Sequence, residues 1–188
     1  MATATKPKAL HFTGNDEADA LLATEPLALL IGFALDQQVT VPTAFLGPLK
    51  LKQRLGSLAP AAIAGSDPAE LEQIFREKPA IHRFPGAMAK RVQELAAVVE
   101  DEYGGRAERV WTDATDSAEL RRRISSLPGF GEMKIKSPSA VLAKRFGVEI
   151  AQELAPNHPT LGDVDSVQAL EKYQAKKRAY KASLRKPA

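Results

Sequence analysis

Apolar positions along this chain recur at helical spacing, and no run alternates as a strand would. In "GAMAKRVQELAAVVEDEYGG", Met88, Val92, Leu95, Ala96 and Val99 share one stripe, which predicts an amphipathic helix stopped at Gly104-Gly105. "PLALLIGFALDQQ" is apolar on every side until its polar end, the pattern of a buried central helix. "GNDEADALLATEP" opens on Asn15 or Asp16 as a cap and ends before Pro26, and "DPAELEQIFRE" has Asp67 as cap with Pro68 at its first position. "VPTAFLGPLKLKQRLGS" reads as a helix with a break or kink at Gly47-Pro48, and "LAPAAIAGS" is a weak short one. "TDSAELRRRISSLPG" starts on Thr115 or Asp116, "GEMKIKSPSAVLAKRFG" follows it, and a loop through "APNHPTLG" leads to a last helix from about 165 to 183. The predicted class is all-α: one domain over residues 1–188, built as two helical lobes around a shared core.

Composition narrows the chemistry. The chain has 188 residues, 44% hydrophobic and 26% charged, as in ordinary globular proteins. It has no cysteine, which excludes disulfides, zinc-thiolate sites, a thiol nucleophile and an iron-sulfur cluster. His11, His82 and His158 are scattered without ligand spacing, so no catalytic metal is expected. The opening "MATATKPKALHF" has no long apolar region and no run approaches membrane-spanning length, so the expected location is the cytoplasm. The net charge of +3 is compatible with a nucleic-acid partner without requiring one. From Asp165 onward, Lys172, Lys176, Lys177, Arg178, Lys181, Arg185 and Lys186 face only Asp165 and Glu171. That basic end reads either as a solvated last helix or as a surface that follows phosphates.

The densest signal is "LPGFGEMKIK", residues 127–136. Proline ends a helix, and glycine serves where the backbone needs φ > 0 or close approach. One glycine suffices for a turn between helices; the second, Gly131, followed by a predicted helix start at Glu132 or Met133, points to a turn that meets a ligand. A helix N-terminus there would aim N–H groups and partial positive charge at an anion, with Lys134 and Lys136 beside it. The turn carbonyls could also hold a monovalent cation, potassium or sodium, and no other cofactor is expected. Such a turn grips one phosphate of a nucleic-acid backbone without reading sequence.

"LPGFG" between two helices resembles the hairpin of the helix-hairpin-helix (HhH-GPD) DNA glycosylase superfamily, with the motif spanning about 116–146. "LLIGFALDQQVTVPTAF" resembles its early helix and Gln-containing turn, and "FPGAMAKRVQELAAVVEDEYGG" resembles the helix opened by a glycine turn and a lysine. Together these cover roughly residues 27–147 in the family's order. The resemblance implies an enzyme, without an iron-sulfur cluster, that flips a damaged base from double-stranded DNA and cuts its N-glycosidic bond, acting as a monomer in base-excision repair. An alkylated base is one such substrate. It implies that Pro128, Gly129, Phe130 and Gly131 form the turn met by DNA, the Phe130 ring itself packing inside, with Lys134 and Lys136 as phosphate contacts. It also implies that Gln38 wedges into the duplex where the base has left, and that Lys90 matches the helix-opening lysine. Each of Gln38, Lys90 and Lys134 also has a plain reading as a solvated side chain.

Two departures bear on mechanism. The family carries a catalytic aspartate a short way beyond the hairpin, where this chain has Ala151; the first aspartates are Asp163 and Asp165 in "LGDVDSV". Asp165 reads either as the catalytic carboxylate or as the cap of the last helix, with Asp163 second in line. Family members that also nick the strand carry a nucleophilic lysine two residues past the second glycine. Here that place is Met133, and Lys134 lies about 100° further round a helix, so a glycosylase without lyase action is expected. The alternative function is a non-catalytic protein that binds damaged or branched DNA.

Overall fold

A computed structural model describes residues 6–185, so Lys186 lies outside the described residues. The chain is all-helical there, with no strand. Its helices are α1 (Asp16–Thr24), α2 (Pro26–Leu35), α3 (Val41–Leu55), α4 (Pro60–Ala64), α5 (Pro68–Arg76), α6 (Pro85–Tyr103), α7 (Arg109–Thr112), α8 (Ser117–Ser126), α9 (Lys136–Phe146) and α10 (Val167–Ser183). Three 3₁₀ turns, Glu132–Lys134, Glu149–Leu154 and Leu161–Asp163, complete the order.

Local chemistry explains most boundaries. Asn15 accepts from the Ala18 N–H, Asp67 from Ala69 and Glu70, and Asp116 from Glu119, each satisfying an orphan donor of a first turn. Gly104 takes the left-handed conformation that ends α6, and all five stripe residues of that helix are buried. The last helix is capped by Ser166, whose hydroxyl accepts from Ala169 N–H, and not by the expected Asp165. Asp165 sits one residue too early and stays exposed.

Helices α1–α6 pack on one another, with α2 against α3 and α6 against α4 and α5. In the second group, α7 meets α8, and α9 packs on the turns Glu149–Leu154 and Leu161–Asp163. Buried residues of both groups belong to one continuous core. Two glycines bring α2 and α3 together. A Cβ on Gly32 would lie 2.4 Å from Phe45 Cδ1, and one on Gly47 would lie 2.5 Å from Leu35 Cδ1. Gly47-Pro48 therefore does not break α3, which runs through Pro48; the glycine serves close packing. Phe45 in turn meets Phe12 and Phe33 edge-on, with ring centroids 5.0 and 5.1 Å apart. No single helix among the described residues is long and apolar enough to cross a membrane.

The hairpin corrects one expectation. No α-helix begins at Glu132 or Met133; a 3₁₀ turn fills Glu132–Lys134, and α9 starts at Lys136. The tighter winding sends Met133 outward, 94% exposed, and turns Lys134 inward.

Candidate nucleic-acid interface and reacting centre

Both hairpin glycines have left-handed backbones, with φ of +91° at Gly129 and +59° at Gly131, but for different reasons. A Cβ on Gly129 would lie 2.6 Å from Arg91 Cδ and 3.4 Å from Ala34 Cβ, so this glycine lets the hairpin sit on α6 and the last turn of α2. A Cβ on Gly131 would meet nothing within 4 Å. Gly131 is exposed, and its N–H finds no acceptor among the described residues. Only Gly131 therefore offers an open backbone face; Gly129 is explained by internal packing. Leu127 and Phe130 are buried beneath the turn, Pro128 is half-buried, and Lys136 is exposed beside it. Because α9 starts five residues after Gly131, its dipole does not reinforce this face as the sequence suggested. Glu132, next to Gly131, is drawn sideways onto Arg121 at 2.6 Å.

Lys134 is not the outward phosphate contact that the sequence suggested. Its Nζ donates to the carbonyls of Phe33 (3.0 Å) and Ala34 (3.2 Å), capping the C-terminal end of α2 from a hundred residues away. Burial lowers the amine to about 8, against the pull of Asp36 and with help from Arg91. Met133 still stands two residues past the second glycine, the place that led to no lyase step being expected, but it is Lys134 that turns inward.

Asp36, which sequence reasoning passed over, follows α2 directly. Burial raises its carboxyl above the ordinary value, while Lys177, Lys134 and Lys181 pull it part of the way back. Half-buried Tyr173, on α10, is likewise raised by burial and by the Asp36 charge. Hairpin, α2 end and α10 thus converge on one acid and three amines. The available signal was an aspartate ending a fully apolar helix at its negative pole.

The turn after Asp36 is held from below. His82 Nε2–H lies 3.1 Å from the carbonyls of both Leu35 and Gln37, and its Nδ1 accepts the Phe84 N–H. Gln37 folds back to donate to the Ala34 carbonyl. Gln38 is exposed at φ +55°, a strained conformation for a residue with a Cβ, costing on the order of 1 kcal/mol. Burial lowers the His82 pKa, its bonds to the Gln37 and Leu35 carbonyls opposing and Arg83 and Lys134 adding. A folded value below the unfolded 6.5 means that the unfolded chain binds the proton more readily. Stability from this group is full above about pH 6.5 and is lost as pH falls through the folded value. Melting temperatures from pH 7.5 down to 5 should fall more steeply in the wild type than in His82→Gln; parallel curves would count against it.

Lys90 is exposed and only loosely paired with Glu94, at 3.9 Å; the neighbouring Arg91 reaches the hairpin instead. Asp163 is committed elsewhere. It accepts from Thr160 N–H (2.8 Å) and from Lys144 Nζ (2.6 Å), and these bonds outweigh the upward push of burial to hold its carboxyl below the usual range. A cleft of about 870 Å³ opens beside it, lined among others by Lys144, His158, Lys172, Tyr173 and Lys176. Ala151, where the family's aspartate was expected, is fully buried. Among the described residues no group of three His, Asp or Glu side chains could hold a metal ion. Comparison with protein-family models, with curated proteins and with solved structures finds no match.

Proposed function

We propose that the protein is a DNA N-glycosylase of base-excision repair, a monomer that flips a damaged base from double-stranded DNA and cuts its N-glycosidic bond. One observation carries this reading. The hairpin rests through Gly129 on the last turn of α2, so the open Gly131 face adjoins the segment bearing Asp36 and the outward Gln38. A phosphate held at Gly131 and Lys136 would bring its nucleotide to a half-buried acid and amine, with Gln38 available to fill the vacated stack. A monovalent cation would be held by the hairpin carbonyls, of which those of Leu127 and Gly131 accept one hydrogen bond each and keep a second lone pair. The basic face of α10 would track the duplex.

Binding of the purified chain to duplexes across a salt series, with base release from duplexes carrying uracil, hypoxanthine, ethenoadenine, 7-methylguanine or 8-oxoguanine, tests this. Affinity falling linearly with log salt and release of at least one base are expected. Tight binding with no release favours the non-catalytic alternative, and no binding overturns both.

Lys134 favours a second reading, in which base removal is followed by strand nicking. An amine lowered to about 8 is partly neutral at physiological pH and suits attack on the aldehyde of an abasic sugar, with loss of water to form an imine.

A further inference from the structure

Asp36 stands where a carboxylate is least welcome. It follows the last residue of α2, at the helix's negative pole, where a negative charge is unfavourable. Local preference would place a lysine, glycine or asparagine there. The carboxylate is half-buried, yet among the described residues it accepts no hydrogen bond and has no ion-pair partner within 4.0 Å. Lys134, Lys177 and Lys181 act on it at longer range, and its own charge reaches Tyr173 of α10. A half-buried acid under the influence of three lysines but bonded to none of them keeps its oxygens open to a partner that arrives.

The other acids do not match it. Asp163 is spent on Thr160 and Lys144. Asp165 is exposed, ahead of the Ser166 cap. Asp36 alone among the three adjoins the segment on which the hairpin rests, two residues past Ala34.

We propose that Asp36 is the catalytic carboxylate of the glycosylase reaction, set against C1′ of the extruded nucleotide. The inference rests on the function proposed above. As the C1′–N bond breaks, its electron pair leaves with the base, and positive charge grows on the sugar ring, where Asp36 stabilises it. Water then adds its oxygen to C1′ and passes a proton to Asp36, which returns it to the departing base or to solvent. The three amines oppose the upward push of burial on the carboxyl, and Lys134, tied to the Phe33 and Ala34 carbonyls, fixes the turn that carries it.

The test is single-turnover excision on whichever lesion duplex the wild type cleaves, with full-length Asp36→Asn, Asp36→Glu and Asp165→Asn proteins. Asp36→Asn should excise on the order of a hundredfold to a thousandfold more slowly. Its Kd for the same duplex should stay within about threefold, and its circular dichroism should match the wild type. Asp36→Glu, which displaces the carboxylate by one methylene, should be slowed at least about tenfold. An Asp36→Asn protein that excises at the wild-type rate overturns the proposal while leaving the glycosylase reading intact. So does loss of excision in Asp165→Asn with Asp36→Asn unaffected. If Asp36→Asn does not fold, Asp36→Glu decides: a folded protein at the wild-type rate overturns the role. A wild type that releases no base from any duplex removes the glycosylase reading and Asp36's role with it.

Discussion

A Lys134→Met protein is expected to form no covalent link with abasic DNA while melting within a few degrees of the wild type. Methionine keeps the apolar stem but deletes an ammonium that donates to two carbonyls at the end of α2. Hydrogen bonds from charged groups contribute about 1.5–3 kcal/mol, but the lowered pKa means that burying this ammonium costs a comparable amount. The Phe33 and Ala34 carbonyls also keep the Asp36 N–H and the Gln37 amide as donors, so the two effects nearly offset. The chemical half of the prediction is read by borohydride reduction with a duplex containing an abasic site. The wild type should be trapped through an imine, more efficiently as pH rises through about 8 and the amine loses its proton. Trapping that persists in Lys134→Met would assign the nucleophile to another amine. A wild type that is never trapped would end the lyase reading.

Gly131→Ala should weaken binding to lesion-bearing and undamaged duplexes alike, by about tenfold to a hundredfold, the loss of one or two charge-assisted hydrogen bonds. Its φ of +59° makes alanine cost about 1 kcal/mol, but the new methyl would touch nothing within 4 Å, so the fold should persist with only a few degrees of destabilisation. An equal loss on every duplex is the signature of a backbone contact, because phosphates carry no sequence. Unchanged affinity in a folded Gly131→Ala protein would remove the hairpin from the interface.

What could be read from the sequence was what neighbours in the chain decide. Caps at Asn15, Asp67 and Asp116, the α6 stripe and the glycine stop at Gly104 depend on residues three or four places apart, and each was legible. The four-residue helix α7 was not, because it barely completes one 3.6-residue turn and shows no repeat. The cap of α10 was misplaced by one residue, since Asp165 and Ser166 are both good caps and only the backbone chooses between them. At the hairpin the failure was of another kind. The contact that turns Lys134 inward joins it to Phe33 and Ala34, and no local spacing encodes a partner so far away. Asp36 was hidden by the same distance, for it looked like the first polar residue after an apolar helix until three lysines from elsewhere were found around it.

The glycines that seat α2 against α3 bear on how mutational data for this protein should be interpreted. Gly32 and Gly47 leave no room for even a methyl group without moving Phe45 or Leu35. A saturation scan under growth selection would therefore score them as intolerant as any residue that touches substrate. Gly131, with open space around it, should tolerate change in a screen for folded protein and fail only in one for activity. Intolerance alone would thus point first to the scaffold, and the working surface would emerge from the difference between the two screens.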